Sequence, residues 1–325
     1  MEPNKKNILI TGATGFVGKQ LVQKLLQHSN YKVQASVRSV NSALPKELQI
    51  PIGNVSKQTD WTPALKGCDV VIHTAARVHI MRETATDPLQ EFRKINVEGT
   101  LNLARQAATH GVKRFIFISS IKVNGEITHN DKFFADDKPS PQDPYAVSKL
   151  EAEQGLFSIA KETGLEVVII RPPLIYGPHV KGNFRRLIQT IQKGLPLPLA
   201  ALNHNKRSLV SIYNLLDLIN CCIDHPNAAN QVFLVSDGFD ISSVELLQKI
   251  GQALNKSPWL IYIPRMLLKG ISSLLGKEAL WQRLGGSLQL DIEKTCTLLN
   301  WKPVIGMDEA LYKTLQEEAL TGCVP

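Results

Sequence analysis

The stretch "NILITGATGFVGKQLVQKLL", residues 7–26, decides the fold. An unbroken apolar run enters a glycine-rich turn, and apolar residues at helical spacing (Val17, Leu21, Val22, Leu25) follow at once. Gly12 allows a tight turn, Gly15 lets a ligand approach the backbone, and Gly18 lets the helix pack close to the strand. The free amides and positive dipole of a helix N-terminus favour a diphosphate at such a turn. Gly12, Thr14, Gly15, Phe16, Val17 and Gly18 therefore read as a dinucleotide-binding turn.

Further along, "KVQASV" (32–37), "DVVIHTAA" (69–76), "RFIFISS" (114–120) and "LEVVIIRPP" (165–173) repeat the short, β-branched apolar run. Such runs suit parallel strands buried on both faces. Between them lie helical segments, and those over 87–111 and 144–164 end at Gly111 and Gly164, the residue type that favours a helix stop. The alternation predicts an α/β fold, a Rossmann-like doubly wound parallel sheet over residues 1–177. After 178 glycine and proline become denser, and residues 178–325 are expected to form mainly a smaller C-terminal α/β substrate lobe. A segment at about 205–225 is expected to return to the first domain.

The 37 Lys and Arg against 29 Asp and Glu give a formal charge of +8. That suits an anionic partner, but no run of five basic residues occurs, so a small anionic ligand is expected and nucleic acid is not. Five cysteines without C-x-x-C spacing predict reduced thiols and no metal site. No signal peptide is evident, and a cytoplasmic protein is expected. The apolar stretch 259–276 is interrupted by Pro264, Arg265 and Lys269, so a buried helix or a lid is expected there and an integral membrane segment is not.

At the end of the second strand an Asp or Glu would grip a ribose 2'-hydroxyl, but this chain has Arg38. An arginine suits a 2'-phosphate, which favours NADP over NAD. Asn54 and Val55, after the third strand, are expected to flank the adenine.

"DPYAVSKLEAE", residues 143–153, sets Tyr145 and Lys149 one helical turn apart behind Pro144 at the first helical position. A nearby ammonium favours phenolate, which is expected to lower the tyrosine pKa and make it a competent acid/base. Composition alone would produce such a pair by accident about as often as not, so position matters. The pair opens a helix after a late strand, where doubly wound folds gather their chemistry. Ser119 and Ser120 end such a strand and supply a hydroxyl.

With "TGATGFVG", "VIHTAA", "NVEGTLNLA", "SSIKVNGE", "YAVSK", "RPPLIYGP" and "NKRSLVSIYNLLDLI" in order, the chain resembles the extended short-chain dehydrogenase/reductase family, in its nucleotide-sugar epimerase and ketoreductase branch. The resemblance implies that Tyr145 is the acid/base, that Lys149 holds the nicotinamide ribose and tunes Tyr145, and that Ser120 polarises the sugar oxygen. It implies that Asn96 orders water near the lysine, that Ala75 and Ala76 let the chain pass close to the cofactor, and that Pro172 leads into the substrate lobe. On the substrate side it implies Asn183 near the diphosphate or sugar, with Arg207 and Arg283 on the phosphates. Asn214 departs from the aspartate usual in the family, which leaves that position's role in doubt.

A UDP-sugar is the implied substrate and a homodimer the implied assembly. Arg38 favours an NADPH-driven 4-keto-sugar reductase serving surface-polysaccharide precursors. The alternative is a UDP-hexose or UDP-N-acetylhexosamine 4-epimerase, and a remote one is a non-catalytic cofactor-binding regulator. A dehydratase fits less well, because Ile121 and Lys122 stand where that branch has Asp and Glu.

Overall fold

A computed structural model describes residues 5–78, 86–264, 266–267, 270 and 285–320. Arg283 and Cys323 lie outside the described residues, as do 265, 268–269 and 271–276 of the apolar stretch.

Seven strands form one parallel sheet: β1 (Lys6–Thr11), β2 (Tyr31–Val37), β3 (Gln49–Pro51), β4 (Val70–His73), β5 (Arg114–Ile118), β6 (Glu166–Arg171) and, after two strands of a second sheet, β9 (Gln231–Leu234). Their spatial order is β3-β2-β1-β4-β5-β6-β9, so the chain runs outward from β1 in one direction, then crosses and runs outward in the other. Such a reversal leaves a crevice at the carboxyl ends of β1 and β4, where ligands bind in this class of sheet.

Burial on both faces explains the apolar runs. Ile8 and Ile10 join a core with Leu21, Leu25, Leu215 and Ile219, from α1 (Phe16–Leu26) and α7 (Ile212–Asp224). Leu9 points the other way, into a core with Val71, Phe115, Phe117, Leu103 and Leu156. Alternate residues of one strand thus serve opposite layers, which leaves no polar face to the central strands.

A second sheet of three strands joins β7 (Leu174–Tyr176), β8 (Arg207–Ser211) and β10 (Asp240–Ile241). Its core takes Phe184 and Ile188 from α6 (Gly182–Gln192) and Leu247 and Ile250 from α8 (Ser243–Ala253). Ser211 ends β8 and caps α7, accepting from the Asn214 amide at 3.2 Å. α7 leads the chain back toward the first sheet, and β9 follows it to complete that sheet beside β6.

The expected burial of the stretch 259–276 fails at its described residues. Trp259 is 59%, Tyr262 71% and Met266 87% exposed. Over 259–261 the chain alternates as a strand does: Leu197 donates to Trp259 O at 2.8 Å, and Ile261 donates back to Leu197 O at 2.9 Å. Leu260 turns inward to the second core, while Trp259 and Ile261 face out.

Candidate active site

The glycine turn is shaped as its spacing predicts. Gly12 has φ +65°, and a Cβ there would lie 2.6 Å from the Ala75 amide nitrogen. A Cβ on Gly18 would lie 2.2 Å from Gly12 O, so both residues must be glycine for β1, the turn and α1 to meet. Gly15 N donates to Gly12 O at 2.8 Å. Gly15 is also the N-cap of α1 and offers no side chain to its first amides, an arrangement that an incoming phosphate completes. Thr14 is exposed on the turn, and Phe16 and Val17 pack behind it. The residues present therefore fit a dinucleotide.

Ala75 and Ala76 follow β4 directly across from this turn, and Asn54 and Val55 follow β3. Beyond β2 a cavity of about 550 Å³ is lined by Thr14, Arg38, Ser39, Asn41, Ser42 and Ala43. None of these six residues carries a carboxylate.

At α5 (Pro144–Thr163), Asp143 is the N-cap and accepts from the Ala146 amide at 2.7 Å. Tyr145 packs its ring edge-on against Phe92 at 5.9 Å and lies beside the Ser120 hydroxyl. Lys149 is buried, donates to Ile118 O at 2.7 Å and lies 4.1 Å above the Phe117 ring. Sequence spacing and sheet topology thus bring Ser120, Tyr145 and Lys149 to one place.

The electrostatics differ from the expected lowered phenol pKa. Burial and the Asp143 charge push Tyr145 up, and only the Ser120 hydrogen bond opposes them. Burial instead brings Lys149 down to about 7, partly countered by Glu153. The physical reason is that desolvation penalises the charged form of each group, fully for the buried Lys149 and in part for the half-buried Tyr145.

Asn96 stands in a π-helical segment, Arg93–Gly99, of a kind often found at functional sites. It accepts from Arg77 N at 2.8 Å and donates to Arg77 O and to Ser148 Oγ, each at 3.0 Å. Ser148 in turn donates to Tyr145 O at 2.7 Å. Asn96 therefore ties the loop after β4 to the first turn of α5, using all three of its polar positions on protein groups. Pro172 is buried, and its carbonyl accepts from Ile121 N at 3.0 Å, fixing the turn that carries Ser120.

Sequence reasoning missed the layer beneath this group. Glu153, buried one turn beyond Lys149, accepts from Ser119 Oγ and forms an ion pair with Arg171 at 2.5 Å. Arg171 also donates to Asn124 Oδ1 at 2.9 Å. A signal was present: Tyr145, Lys149 and Glu153 recur at every fourth residue. His73 is equally buried between Thr11 Oγ1 (2.6 Å) and Thr100 Oγ1 (2.9 Å), and burial brings its pKa down to about 3. Lys122 bridges Glu126 at 2.7 Å and Asp143, so the helix cap beside Tyr145 is ion-paired.

The substrate-side residues are less gathered. Asn183 is exposed at the start of α6, and Arg207, at the start of β8, donates to Gly286 O at 3.0 Å. Asn214 has a structural task. It donates to Asp237 Oδ1 at 2.7 Å and to Ile305 O at 2.9 Å, and accepts from the amides of Val304 and Ile305.

Residues 8–236 match the NAD dependent epimerase/dehydratase family. The chain is 48% identical over 314 residues to a UDP-glucose 4-epimerase of Vibrio cholerae, covering 96% of this chain and 95% of that protein. It is 30% identical over 275 residues to an N-acetyl-alpha-D-glucosaminyl-diphospho-ditrans,octacis-undecaprenol 4-epimerase of Escherichia coli O157:H7, covering 83% and 77%. In fold it is similar to a UDP-glucose 4-epimerase of Thermotoga maritima with UDP-glucose, at a TM-score of 0.78 and 21% identity over 97% of this chain and 99% of that one. A UDP-glucuronic acid 4-epimerase of Bacillus cereus with NAD gives the same TM-score at 22% identity, with the same coverage of both chains.

Proposed function

From a chain that belongs to the NAD dependent epimerase/dehydratase family, an enzyme family, we propose a UDP-sugar 4-epimerase. The observation that carries this reading is the 48% identity to a UDP-glucose 4-epimerase along nearly the full length of both chains. The 4-keto-sugar reductase favoured by Arg38 alone has no such support, and the epimerase alternative replaces it. The regulator reading loses its ground too, because Ser120, Tyr145 and Lys149 converge.

A bound nicotinamide supplies reversible two-electron oxidation at sugar C4. Tyr145 takes the proton of the C4 hydroxyl as the ketone forms and returns it when the oxygen lies on the opposite face of the ring. Ser120, beside the Tyr145 hydroxyl, donates to the same sugar oxygen. Lys149, one turn further along the helix, is placed to hold the nicotinamide ribose. The cradle at Gly12, Gly15 and Gly18 holds the cofactor diphosphate, with Ala75, Ala76, Asn54 and Val55 around it. Asn183, Arg207 and Arg283 serve the UDP moiety, and the active unit is a homodimer.

The cofactor is NAD or NADP. Arg38, Ser39, Asn41 and Ser42 line the cavity beyond β2 without a carboxylate, which favours a 2'-phosphate. Titration calorimetry with both cofactors decides between them, and equal or tighter NAD binding removes the NADP preference.

The deciding experiment incubates purified protein with UDP-glucose, with UDP-N-acetylglucosamine and with the 4-keto-6-deoxy derivative, with and without added NADPH. An epimerase produces the C4 epimer without net cofactor consumption. Oxidised cofactor accumulating in step with a 4-keto sugar's reduction would return the reductase. Tyr145→Phe should lower turnover at least about a hundredfold while leaving cofactor binding in place.

A further inference from the structure

Acidic residues are absent from two long stretches of this chain. Residues 167–216 contain seven Lys and Arg but no Asp or Glu, and residues 246–264 contain Lys249 and Lys256 and again no acid. The fold lays these stretches side by side. Lys256 donates to Gln192 O at the end of α6, and Leu197 pairs with Trp259 and Ile261 through backbone hydrogen bonds.

Several of these cations are engaged elsewhere: Arg171 with Glu153, Lys249 with Asp308, Arg207 with Gly286, and Arg185 beside Glu318. Arg186, Lys193 and Lys256 are exposed, and among the described residues none of them forms an ion pair. Near them Leu195, Trp259 and Ile261 are exposed, and Tyr262, Met266 and Leu267 are exposed further along the same stretch of chain.

A large apolar group of this kind on a protein surface marks an interaction site. Its chemistry selects the occupant. Aromatic residues with an amphipathic ring, aliphatic residues beside them and unpaired lysines at the margin are the composition of segments that lie in the headgroup region of a bilayer. A nucleic acid would use the cations and the two aromatic rings but leaves Leu195, Met266 and Leu267 without a role. Among the described residues no helix is long and apolar enough to cross a membrane, so the contact is one of lying on the surface.

We propose that the surface carrying Lys193, Leu195, Lys256 and Trp259, with Tyr262 and Met266 further along the chain, docks this protein on an anionic lipid bilayer. The contact lies on the second lobe and is independent of the proposed epimerase activity. It would hold the enzyme where membrane-bound steps consume its product. Each lysine adds attraction to anionic headgroups that salt screens, and the apolar side chains add a part that salt leaves in place.

The test sediments the full-length protein with phosphatidylglycerol-containing vesicles and with pure phosphatidylcholine vesicles. The wild type should pellet with the anionic vesicles, less so at high salt. The triple variant Trp259→Ser, Tyr262→Ser, Met266→Ser and the pair Lys193→Glu, Lys256→Glu should each bind at least about tenfold more weakly, since every basic group near the surface counts. Both variants should keep the wild-type turnover and circular dichroism. If the triple variant misfolds, the lysine pair decides alone. A wild type left in the supernatant with both vesicles overturns the proposal. So does unchanged binding by the lysine pair, or a parent oligomer that the triple variant breaks into monomers, which would make the face an interface between copies. Loss of epimerase activity with vesicle binding intact would instead count against the catalytic reading only.

Discussion

Lys149 on α5 donates to the Ile118 carbonyl at 2.7 Å, tying a buried ammonium to the carboxyl end of β5, where Ser119 and Ser120 follow. One hydrogen bond thus couples the helix that carries Tyr145 to the strand end that carries its hydroxyl partner. Glu153 partly offsets the loss of charge that burial imposes on that ammonium, and Glu153 is in turn held by Arg171 and Ser119.

The lysine leaves a signature in stability. Its pKa falls from 10.5 when unfolded to about 7 when folded, so between these values the unfolded chain binds the extra proton. Unfolding free energy from this group therefore rises with pH above 7. Above about pH 9 the buried thiols Cys68 and Cys222, pushed up by burial, act in the opposite direction. Urea midpoints should thus increase from pH 7 to 9 in the wild type, and Lys149→Met should flatten that slope.

Glu153→Gln removes the carboxylate that supports the lysine and leaves Arg171 buried without its partner. A cost of about 3 kcal/mol in unfolding free energy is expected. If the lysine must be charged for turnover, the alkaline limb of kcat/KM moves to lower pH, and Glu153→Asp moves it part of the way back. A stability loss without any change in the pH profile would make Glu153 structural only.

Asn214→Asp restores the residue type usual at this position in the family but places a second carboxylate on Asp237, whose pKa burial has already raised. Two buried like charges in contact, with the donor to Ile305 O lost, should cost about 3 kcal/mol or more at pH 7. The loss should shrink as the pH falls and the pair shares a proton. Denaturant melts of the two proteins at pH 5 and pH 7 check this.

Gly12→Ala forces a side chain into the Ala75 backbone at a positive φ. Strain of about 1–3 kcal/mol and loss of measurable cofactor binding are expected, read by thermal melts and by cofactor titration. Gly53→Ala is the control, since φ is +79° there but nothing lies within 4 Å of the added methyl. It should cost stability through φ while leaving cofactor binding unchanged.

How much of this was legible depended on the range of the interaction. The strand runs, the glycine turn and the Tyr145 to Lys149 spacing are local patterns, set by periods of two and of about 3.6 residues and by where a Cβ can fit. They determined the doubly wound sheet and the group at its carboxyl edge. The relatives, not the local pattern, favour the epimerase we propose over the ketoreductase, because either reaction would call on the same Ser120, Tyr145 and Lys149.

Tertiary structure decided what depends on partners distant in sequence. Asn214 acquires its role from Asp237 and Ile305, and Glu153 from Arg171 and Ser119. Trp259 and Ile261 face outward because backbone bonds to Leu197 orient them. The direction of the Tyr145 shift was likewise unreadable from spacing, since a neighbouring ammonium and desolvation act in opposite senses. Spacing shows that the charge is near, but only the packed structure shows how much water has been removed, and that removal sets the balance.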